Sequence, residues 1–262
     1  MKIFVVSLIE AVDRRRSIES NLTSLGLEFE FFDAVRGSEL SQSELEHYCD
    51  SNTLQDHKKW MSPGAIGCAI SHFEVYQMII EQNLDRAVVL EDDMLVQEDF
   101  RVVMDHLERM PLSREVILLY YRSAGEVRLD AGKPITISDR YNIYTPFSNG
   151  PLPNTTGGYC ISIEACRSLI DYLHPIRMAS DSWRPMLESG QIDQLRVVYP
   201  RPLMDAGFKS DIDYVDAYYH PFVARILKWI NRYRLPPFYA LLNRRRKRLE
   251  TAMSRFTLVY SE

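Results

Sequence analysis

The sequence lacks the features that mark a membrane-spanning, secreted or disulfide-bonded protein. No apolar run approaches the ~18 residues that a membrane-spanning helix needs. The first residues, MKIFVVSLIEAVDRRR, contain a short apolar run followed by charge, without a small-residue cleavage site, so they predict a first strand and not a signal peptide. The four cysteines form no CxxC pair, which indicates reduced thiols in a cytoplasmic protein.

Charge is distributed unevenly along the 262 residues, whose net charge is −5. Residues 221–262 contain ten Lys or Arg and two Glu, a balance of +8, which leaves −13 for residues 1–220. An acidic body is not typical of a general nucleic-acid binder, so we expect no nucleic acid partner. The length suits one large domain, predicted over residues 1–220, with an appendage over residues 221–262.

The appendage mixes aromatic and aliphatic residues with basic ones. Residues 221–250 contain nine Lys or Arg, and Pro236-Pro237 divides the segment. This pattern predicts one or two basic amphipathic helices, which bind anionic bilayers through apolar burial and charge. The alternative is a C-terminal helix that packs on the domain and leaves its basic run in solvent.

Hydrophobic periodicity predicts an alternating α/β order with a mostly parallel sheet. Strands are predicted at residues 2–8, 28–35, 86–90, 115–121 and 194–204. Helices are predicted after the first strand, at 62–80 and at 99–110. GGYCISIEACRSLIDYL, residues 157–173, predicts a strand followed at once by a helix, and the segment 123–157 before it predicts a long loop.

Three consecutive acids follow the predicted strand 86–90. No Lys or Arg lies within four positions of Glu91, Asp92 and Asp93, so their repulsion is not relieved locally. Ligands of open α/β sheets bind at the carboxyl ends of strands. If the chain stays extended there, Glu91 and Asp93 share a face and Asp92 points the other way. Such a pair of carboxylates suits a hard divalent cation, and the alternative is that the acids cap the following helix.

Five blocks of sequence, in order, resemble one enzyme family. They are FVVSLIEAVDRR, LEFEFFDAVRG, GAIGCAISH, AVVLEDDM and TGGYCISIEACRSLI. Together they resemble the family 25 glycosyltransferases, the lipopolysaccharide and lipooligosaccharide β-glycosyltransferases, over roughly residues 1–215. The resemblance implies a GT-A-like fold, a UDP-sugar donor, an inverting mechanism and a bound metal, typically Mn²⁺, with Mg²⁺ as the alternative.

The resemblance also implies which residues hold the metal. LEDD places Glu91, Asp92 and Asp93 on the metal motif of the family, and Asp93 is the first choice for a direct ligand. We expect Glu91 to share the metal and Asp92 to contact the donor. A C-terminal histidine completes the metal site in many GT-A enzymes, and His220 is the candidate here.

Residues near the first two strands are expected to contact the nucleotide. Ser7 and Leu8 end the first strand and match a segment that lines the nucleotide pocket. Arg14 and Arg15 match a pair of arginines that could meet diphosphate, although a solvated helix face explains them equally well. Asp33 ends the second strand, where its carboxylate could accept a hydrogen bond from ribose or uracil.

Three further residues match the family blocks but have a structural explanation of equal weight. His72 in CAISH is a candidate donor contact or a packing histidine. Gly158 permits close backbone approach to a sugar or phosphate, or forms a tight turn. Tyr159 follows it and is a candidate for donor contact.

An inverting transfer needs a base that takes the proton of the acceptor hydroxyl. Asp181 in RMASDSWRPML is the candidate, because the family carries an Asp near this position. A carboxylate at a helix N-terminus stays ionised, although Asp181 could be only a capping residue. Trp183 could stack on a sugar, with core packing as the favoured alternative.

These expectations describe an enzyme at the inner face of the bacterial inner membrane. It extends a lipid-linked oligosaccharide with galactose from a UDP-sugar, with glucose or another hexose as the alternative. A metal-dependent phosphohydrolase is a rival of another class, since acids at a strand end suit it too. A non-catalytic glycan-binding scaffold is the second rival.

Overall fold

A computed structural model describes residues 1–50, 52, 61–111, 113–123, 125–208, 221–242, 244 and 255–260. Its centre is an eight-stranded sheet in the order β2-β1-β3-β9-β5-β10-β8-β7. The strands are β1 (Lys2–Ser7), β2 (Glu30–Asp33), β3 (Arg86–Glu91), β5 (Glu115–Arg122), β7 (Ile135–Thr136), β8 (Asn142–Tyr144), β9 (Asn154–Ser162) and β10 (Gln194–Tyr199). Two more strands, β4 (Met94–Val96) and β11 (Leu203–Asp205), form a separate antiparallel pair.

Most strands of the sheet run in one direction. β1 is parallel to β2 and β3, and β10 is parallel to β5. β9 lies antiparallel between β3 and β5, and β8 lies antiparallel to β10 and β7. The carboxyl ends of β1 and β3 and the start of β9 therefore meet at one edge of the sheet. The expected α/β, GT-A-like arrangement, a mostly parallel sheet flanked by helices with acids at a strand end, is confirmed.

Helices cover both faces of the sheet. They are α1 (Val12–Ser24), α2 (Gln42–Tyr48), α3 (Pro63–Glu81), α4 (Phe100–Arg109), α5 (Ile163–Leu173) and α6 (Trp183–Glu188), followed by α7 (Pro221–Tyr233). The apolar side chains of α3, α5 and α6 form one core cluster, and those of α1 and α4 form another. None of the described helices is both long and apolar enough to cross a membrane.

Alternation along the inner strands explains the two core layers. In β1, Phe4 and Val6 belong to the α3 side, whereas Ile3 and Val5 belong to the α1 side. Successive side chains of a strand point to opposite faces, so a strand covered on both faces must be apolar at every position. The unbroken apolar runs that predicted these strands therefore reflect burial on both faces.

The start of α3 has the predicted capping residues. The Ser62 hydroxyl accepts a hydrogen bond from the Ala65 amide at 3.3 Å, and Pro63 occupies the first helical position. One face of α3 then packs on the sheet through Ile66, Ile70 and Phe73. This fixes the helix whose first half forms a wall of the cleft described below.

Two segments differ from the predicted loop and tail. The predicted loop 123–157 contains β6 (Val127–Asp130), β7, β8 and the start of β9. The appendage ends in β12 (Phe256–Val259), which pairs in parallel with β6. The ring of Phe256 packs edge-on against buried Tyr121, with centroids 4.8 Å apart. The prediction of a wholly helical tail missed β12, because its partner residues in β6 lie 129 positions earlier in the chain.

Candidate active site

An open cleft of about 230 Å³ lies where β1 and β3 end. The residues after β2, the first half of α3 and the three acids form its walls. Its lining residues are Val6, Ser7, Leu8, Arg14, Ala34, Val35, Arg36, Gly37, Ser38, Gly64, Cys68, Ser71, His72, Glu91, Asp92 and Asp93. The structure thus brings together Ser7, Leu8, His72 and the acid triplet.

Arg14 neutralises part of the acidic charge. Its guanidinium lies 3.3 Å from Asp92 and 3.8 Å from Asp93. Asp92 is buried and accepts a hydrogen bond from the Ser7 hydroxyl at 2.6 Å. The charge missing from the local sequence therefore comes from α1, about 80 residues earlier in the chain.

The described residues compensate the charge of the Asp93 carboxylate only in part and leave one of its oxygens without a hydrogen bond. Burial and the neighbouring Glu91 raise the pKa of Asp93 to about 7, although Arg14 lowers it. Among the described residues, no group donates a hydrogen bond to its buried Oδ1. A carboxylate oxygen left in this state is suited to a hard divalent cation, which supplies charge and coordination together. Asp93, with Asp92 beside it, fits Mn²⁺ or Mg²⁺.

The three acids are arranged differently from the prediction. β3 ends at Glu91, and Asp92 and Asp93 form a turn before β4 (Met94–Val96). Because the chain is no longer extended, Asp92 and Asp93 both face Arg14, and strict alternation does not apply. The condition under which Glu91 and Asp93 would share a face with Asp92 pointing away, an extended chain, is therefore not met.

Glu91 faces a different set of polar groups. Its Oε1 accepts a hydrogen bond from the Thr156 hydroxyl at 2.6 Å and lies 3.6 Å from His72 Nε2. Burial alone would raise the pKa of Glu91, but the contact with His72 has the larger effect, so the net pKa lies below that of an ordinary glutamate. Burial alone would lower the pKa of His72, but the hydrogen bonds and charges of Cys68 and Glu91 have the larger effect and raise it to about 9. In the absence of a metal, Glu91 and His72 form an ion pair.

Tyr159 and Gly158 lie in the core, not in the cleft. The Tyr159 hydroxyl contacts His72 Nδ1 at 2.7 Å and donates to the Tyr76 hydroxyl at 3.2 Å. A Cβ atom at Gly158 would lie 2.2 Å from the Leu203 side chain. Because Gly158 has no side chain, β9 leaves room in the core for the side chain of Leu203. Tyr159 orients His72. The prediction that these two residues contact the donor is corrected.

Arg15 and Asp33 lie beside the cleft and hold two strands together. The Arg15 guanidinium bonds to Asp33 and donates to the carbonyl oxygens of Ser7 at 2.9 Å and Leu8 at 3.1 Å. Because all these acceptors belong to the ends of β1 and β2, Arg15 fixes the spacing of the two strands. Of the two arginines matched to the family, Arg14 lines the cleft and Arg15 positions its wall.

The wall between residues 34 and 38 depends on close backbone contact with α3. A Cβ at Gly67 would lie 2.4 Å from the Val35 carbonyl oxygen, and one at Gly37 would lie 1.8 Å from that of Pro63. The Ser71 hydroxyl accepts a hydrogen bond from the Val35 amide at 2.8 Å and donates one to the Gly67 carbonyl oxygen at 2.7 Å. The GAIGCAIS block therefore serves to hold this wall on the helix.

Asp181 lies close enough to Glu91 to be affected by its charge, but it is not among the residues that line the cleft. The neighbouring Ser180 hydroxyl contacts Cys68 at 3.2 Å and Thr156 at 3.3 Å. Burial and the charge of Glu91 raise the pKa of Asp181 above its usual range. The helix α6 begins at Trp183 and is only six residues long. The raised pKa is opposite to the effect expected of a helix N-terminus, and it makes Asp181 a stronger base than an ordinary aspartate.

Two predicted residues do not line the cleft of the described structure, and three residues that were not predicted belong to the site. His220 lies outside the described residues. Trp183 is buried and its indole donates to the Thr155 carbonyl, so it packs in the core. Cys68, Thr156 and Arg36 were not predicted as site residues. All three lie in blocks that resemble the family, which was the available signal: Cys68 one helical turn before His72, Arg36 in LEFEFFDAVRG and Thr156 at the start of TGGYCISIEACRSLI.

Comparison with known proteins places the matched part of the chain in one family. A family model described as "Glycosyltransferase family 25 (LPS biosynthesis protein)" matches residues 1–183. A "Glycosyltransferase 25 family member" of Aedes aegypti is 33% identical over 103 residues, 38% of this chain and 17% of that protein. "Procollagen galactosyltransferase 1-B" of Xenopus laevis is 27% identical over 182 residues, 65% of this chain and 28% of that protein. "Probable inactive glycosyltransferase 25 family member 3" of Rattus norvegicus is 28% identical over 120 residues, 44% and 21% of the two chains.

This chain covers less than a third of the length of these relatives. Among solved structures, the galactosyltransferase LgtC in complex with donor and acceptor sugar analogs is 11% identical. The alignment covers 75% of this chain and 73% of LgtC, with a TM-score of 0.33.

Proposed function

Since this chain belongs to glycosyltransferase family 25, we propose that it transfers a hexose, with galactose favoured, from a UDP-sugar in the Arg14–Asp93 cleft. The observation that carries the proposal is the buried Asp93 Oδ1, which accepts no hydrogen bond from the described residues, beside Asp92 and Arg14. A carboxylate pair with an adjacent guanidinium matches a nucleoside diphosphate bound with its cation.

The cleft supplies the separate parts that a donor needs. Asp93 and Asp92 would hold Mn²⁺ or Mg²⁺, which when bound neutralises the diphosphate and stabilises the charge of the leaving group. Arg14 lies beside these acids and donates to phosphate oxygens. The wall formed by residues 34–38 offers backbone groups and small side chains to the nucleoside. Ser7 keeps Asp92 in place through its hydroxyl.

Asp181 is the proposed base of an inverting transfer. Its raised pKa makes it a better proton acceptor than an exposed aspartate once it is ionised. It takes the proton of the acceptor hydroxyl as the oxygen attacks the anomeric carbon from the side opposite to UDP. Glu91 and His72, paired with each other, are less available for this role.

We propose galactose as the sugar and a lipopolysaccharide oligosaccharide as the acceptor. The names of relatives that include galactosyltransferases support the sugar, with glucose or another hexose as the alternative. The description of the family model, "LPS biosynthesis protein", supports the acceptor.

We further propose that α7 places the enzyme on an anionic membrane surface, at the inner face of the bacterial inner membrane. Ile226, Trp229 and Tyr233 lie on one side of α7 and are 43%, 57% and 57% exposed. Arg225 and Arg232 are exposed beside them. An aromatic stripe flanked by arginines suits the boundary between acyl chains and acidic headgroups.

The second candidate is a non-catalytic glycan-binding protein. The observation that favours it is a relative named as probably inactive. It predicts sugar binding without turnover. A metal-dependent phosphohydrolase is a third candidate, and it predicts phosphate release from simple phosphomonoesters.

Thermal stabilisation by nucleotide-sugars tests the proposal. UDP, UDP-galactose and UDP-glucose are each added with and without Mn²⁺. A ligand at 100 times its dissociation constant adds about 2.7 kcal/mol to the free energy of unfolding. We expect a Mn²⁺-dependent shift that is largest for UDP-galactose and absent from Asp93→Asn. Turnover of the same donor then separates an enzyme from a binding protein, and the absence of any nucleotide shift would refute the donor site.

A further inference from the structure

Three potential metal ligands of different chemistry converge at the bottom of the cleft. They are the thiol of Cys68, the imidazole of His72 and the carboxylate of Glu91. One ligand atom from each lies within 4.8 Å of the others. None of them is needed for the cation proposed at Asp93 and Asp92, so their convergence is a separate feature of the site.

The secondary structure places the three groups together. Cys68 and His72 are four residues apart on α3, so they share one face of the helix. Glu91 is the last residue of β3, against which α3 packs. Cys68 and Glu91 are half-buried and His72 is buried. Because Cys68 and Glu91 both line the cleft, an ion in solution has a path to the cluster.

His72 is oriented as a metal-binding histidine is. The Tyr159 hydroxyl gives its proton to Tyr76, so it must accept one from His72 Nδ1, 2.7 Å away. The Nδ1 atom is thereby protonated, and the lone pair of the neutral ring lies on Nε2. That buried Nε2 has no hydrogen bond from the described residues and points toward Glu91. A ring nitrogen fixed on one side by a hydrogen bond and open on the other is the usual arrangement at a metal site.

The carboxylate and the thiol are oriented too. The Thr156 hydroxyl donates to Glu91 Oε1, and the Ser180 hydroxyl lies 3.2 Å from Cys68 Sγ. We propose that Cys68, His72 and Glu91 bind a thiophilic divalent cation, Zn²⁺ by preference, in a site distinct from the hard-cation site at Asp93. Thiolate and imidazole favour Zn²⁺, whereas carboxylates alone favour Mg²⁺ and Mn²⁺.

The separations are compatible with zinc coordination. Ligands bound at the usual Zn–S and Zn–N lengths of a tetrahedral site lie about 3.3–3.6 Å apart. The His72–Glu91 pair, at 3.6 Å, already has this separation. Three protein ligands leave the fourth position open to the cleft, for water or a ligand oxygen. Binding releases the Cys68 thiol proton and, when the ring is charged, the His72 Nε2 proton to solvent, so charge and protons balance.

A bound zinc ion would place a second positive charge beside Asp93 and remove the Glu91–His72 ion pair. This inference rests on the ligand geometry and holds whether or not the chain is a transferase. If the proposed transfer is correct, Zn²⁺ is expected to alter Mn²⁺-dependent turnover through Glu91, and Cys68→Ser is expected to be resistant to it.

Co²⁺ is the probe of choice, because a cobalt–thiolate bond gives a near-ultraviolet charge-transfer band that carboxylate sites do not give. We expect one equivalent of Co²⁺ to produce this band in the reduced, metal-free full chain, and Zn²⁺ to abolish it by displacement. Cys68→Ser should lose the band, while Cys49→Ala, which removes another thiol, should keep it. Tyr159→Phe should weaken Co²⁺ binding about 10- to 100-fold, since it releases the histidine ring.

Two results would overturn the proposal: no charge-transfer band in the wild-type chain, or a band that persists in Cys68→Ser. Should Cys68→Ser fail to fold, the wild-type chain provides the second measurement. Zn²⁺ should slow alkylation of Cys68 by iodoacetamide at least tenfold, as mapped by mass spectrometry, and Mg²⁺ should not. Equal alkylation rates with and without Zn²⁺ would refute the site. UDP binding with Mn²⁺, measured separately, tests the proposed function independently.

Discussion

Arg14 reaches from α1 to the turn after β3 and lies between the carboxylates of Asp92 and Asp93. Its Nε is 3.3 Å from Asp92 Oδ1 and its Nη1 is 3.8 Å from Asp93 Oδ2. One guanidinium thus faces two carboxylates, with Glu91 close enough to raise the pKa of Asp93. The site carries excess negative charge, which is the condition under which a cation and a diphosphate bind together.

Arg14→Gln tests the role of this guanidinium in donor binding. Hydrogen bonds to charged groups contribute about 1.5–3 kcal/mol, so UDP affinity in the presence of Mn²⁺ should fall roughly 10- to 100-fold by calorimetry. Arg16→Gln is the matched control, because Arg16 lies on the same helix but is exposed. Equal UDP affinities of Arg14→Gln and the wild type would remove Arg14 from the site.

Asp93→Asn should change the pH dependence of stability in the metal-free protein. The pKa of Asp93 is about 7 in the folded chain and 3.8 for an ordinary aspartate. A carboxyl whose pKa is raised by folding destabilises the fold as pH increases from the lower to the higher value. The variant should therefore match the wild type near pH 4 and exceed its free energy of unfolding by up to a few kcal/mol at pH 8.

Denaturant unfolding in EDTA at the two pH values measures this difference. Addition of Mn²⁺ should stabilise the wild type at pH 8 and leave Asp93→Asn unchanged. A variant that is less stable than the wild type at pH 8 would show that the Asp93 charge is satisfied in the folded protein.

Asp181→Asn tests the proposed base. Loss of a general base lowers the rate about 10²- to 10⁴-fold, so kcat should fall by this factor while UDP-sugar affinity stays the same. Asp171→Asn, an exposed change on α5, serves as the control. Because the pKa of Asp181 is raised, the acidic limb of the wild-type pH–rate profile should lie above 3.8. Full activity of Asp181→Asn would assign the base to another residue.

Gly67→Ala should disturb the wall of the cleft. The added Cβ would lie 2.4 Å from the Val35 carbonyl oxygen, which is backbone and cannot rotate away. Overpacking of this kind costs about 1–3 kcal/mol in the free energy of unfolding, and UDP affinity should fall with it. Gly150→Ala is the control, since no atom lies within 4 Å of its added Cβ. A Gly67→Ala protein with unchanged melting temperature would contradict the close contact.

Trp229→Ser on α7 tests the proposed membrane contact. Burial of an aromatic side chain contributes about 1.5–3 kcal/mol, so partitioning onto vesicles with anionic lipid should fall at least roughly tenfold. Tyr260→Ser, an exposed aromatic change outside α7, is the control. Deletion of residues 221–262 is a poorer test, because it also removes β12 from its pairing with β6. Unchanged co-sedimentation of Trp229→Ser would favour a helix with another partner.

Local patterns predicted the elements that are apolar on both faces. β1, β3 and β5 were predicted within one or two residues, and Ser62 with Pro63 correctly marked the start of α3. These signals are local, because burial and capping depend on residues a few positions apart. β7, β8 and β12 were not predicted, since strands of two to four residues are too short to show an alternating pattern, and β8 and β12 pair with strands distant in the chain.

The sequence alone determined that acids follow a buried strand and that the blocks around them occur in the order of family 25. The tertiary structure decided what each side chain does. It placed Arg14 against Asp92 and Asp93, assigned Arg15 to strand spacing, and put Tyr159 behind His72 instead of in the cleft. The physical reason is that charge compensation, desolvation and ligand geometry depend on distances in space. Residues far apart in the chain supply them, and no pattern of neighbours encodes them.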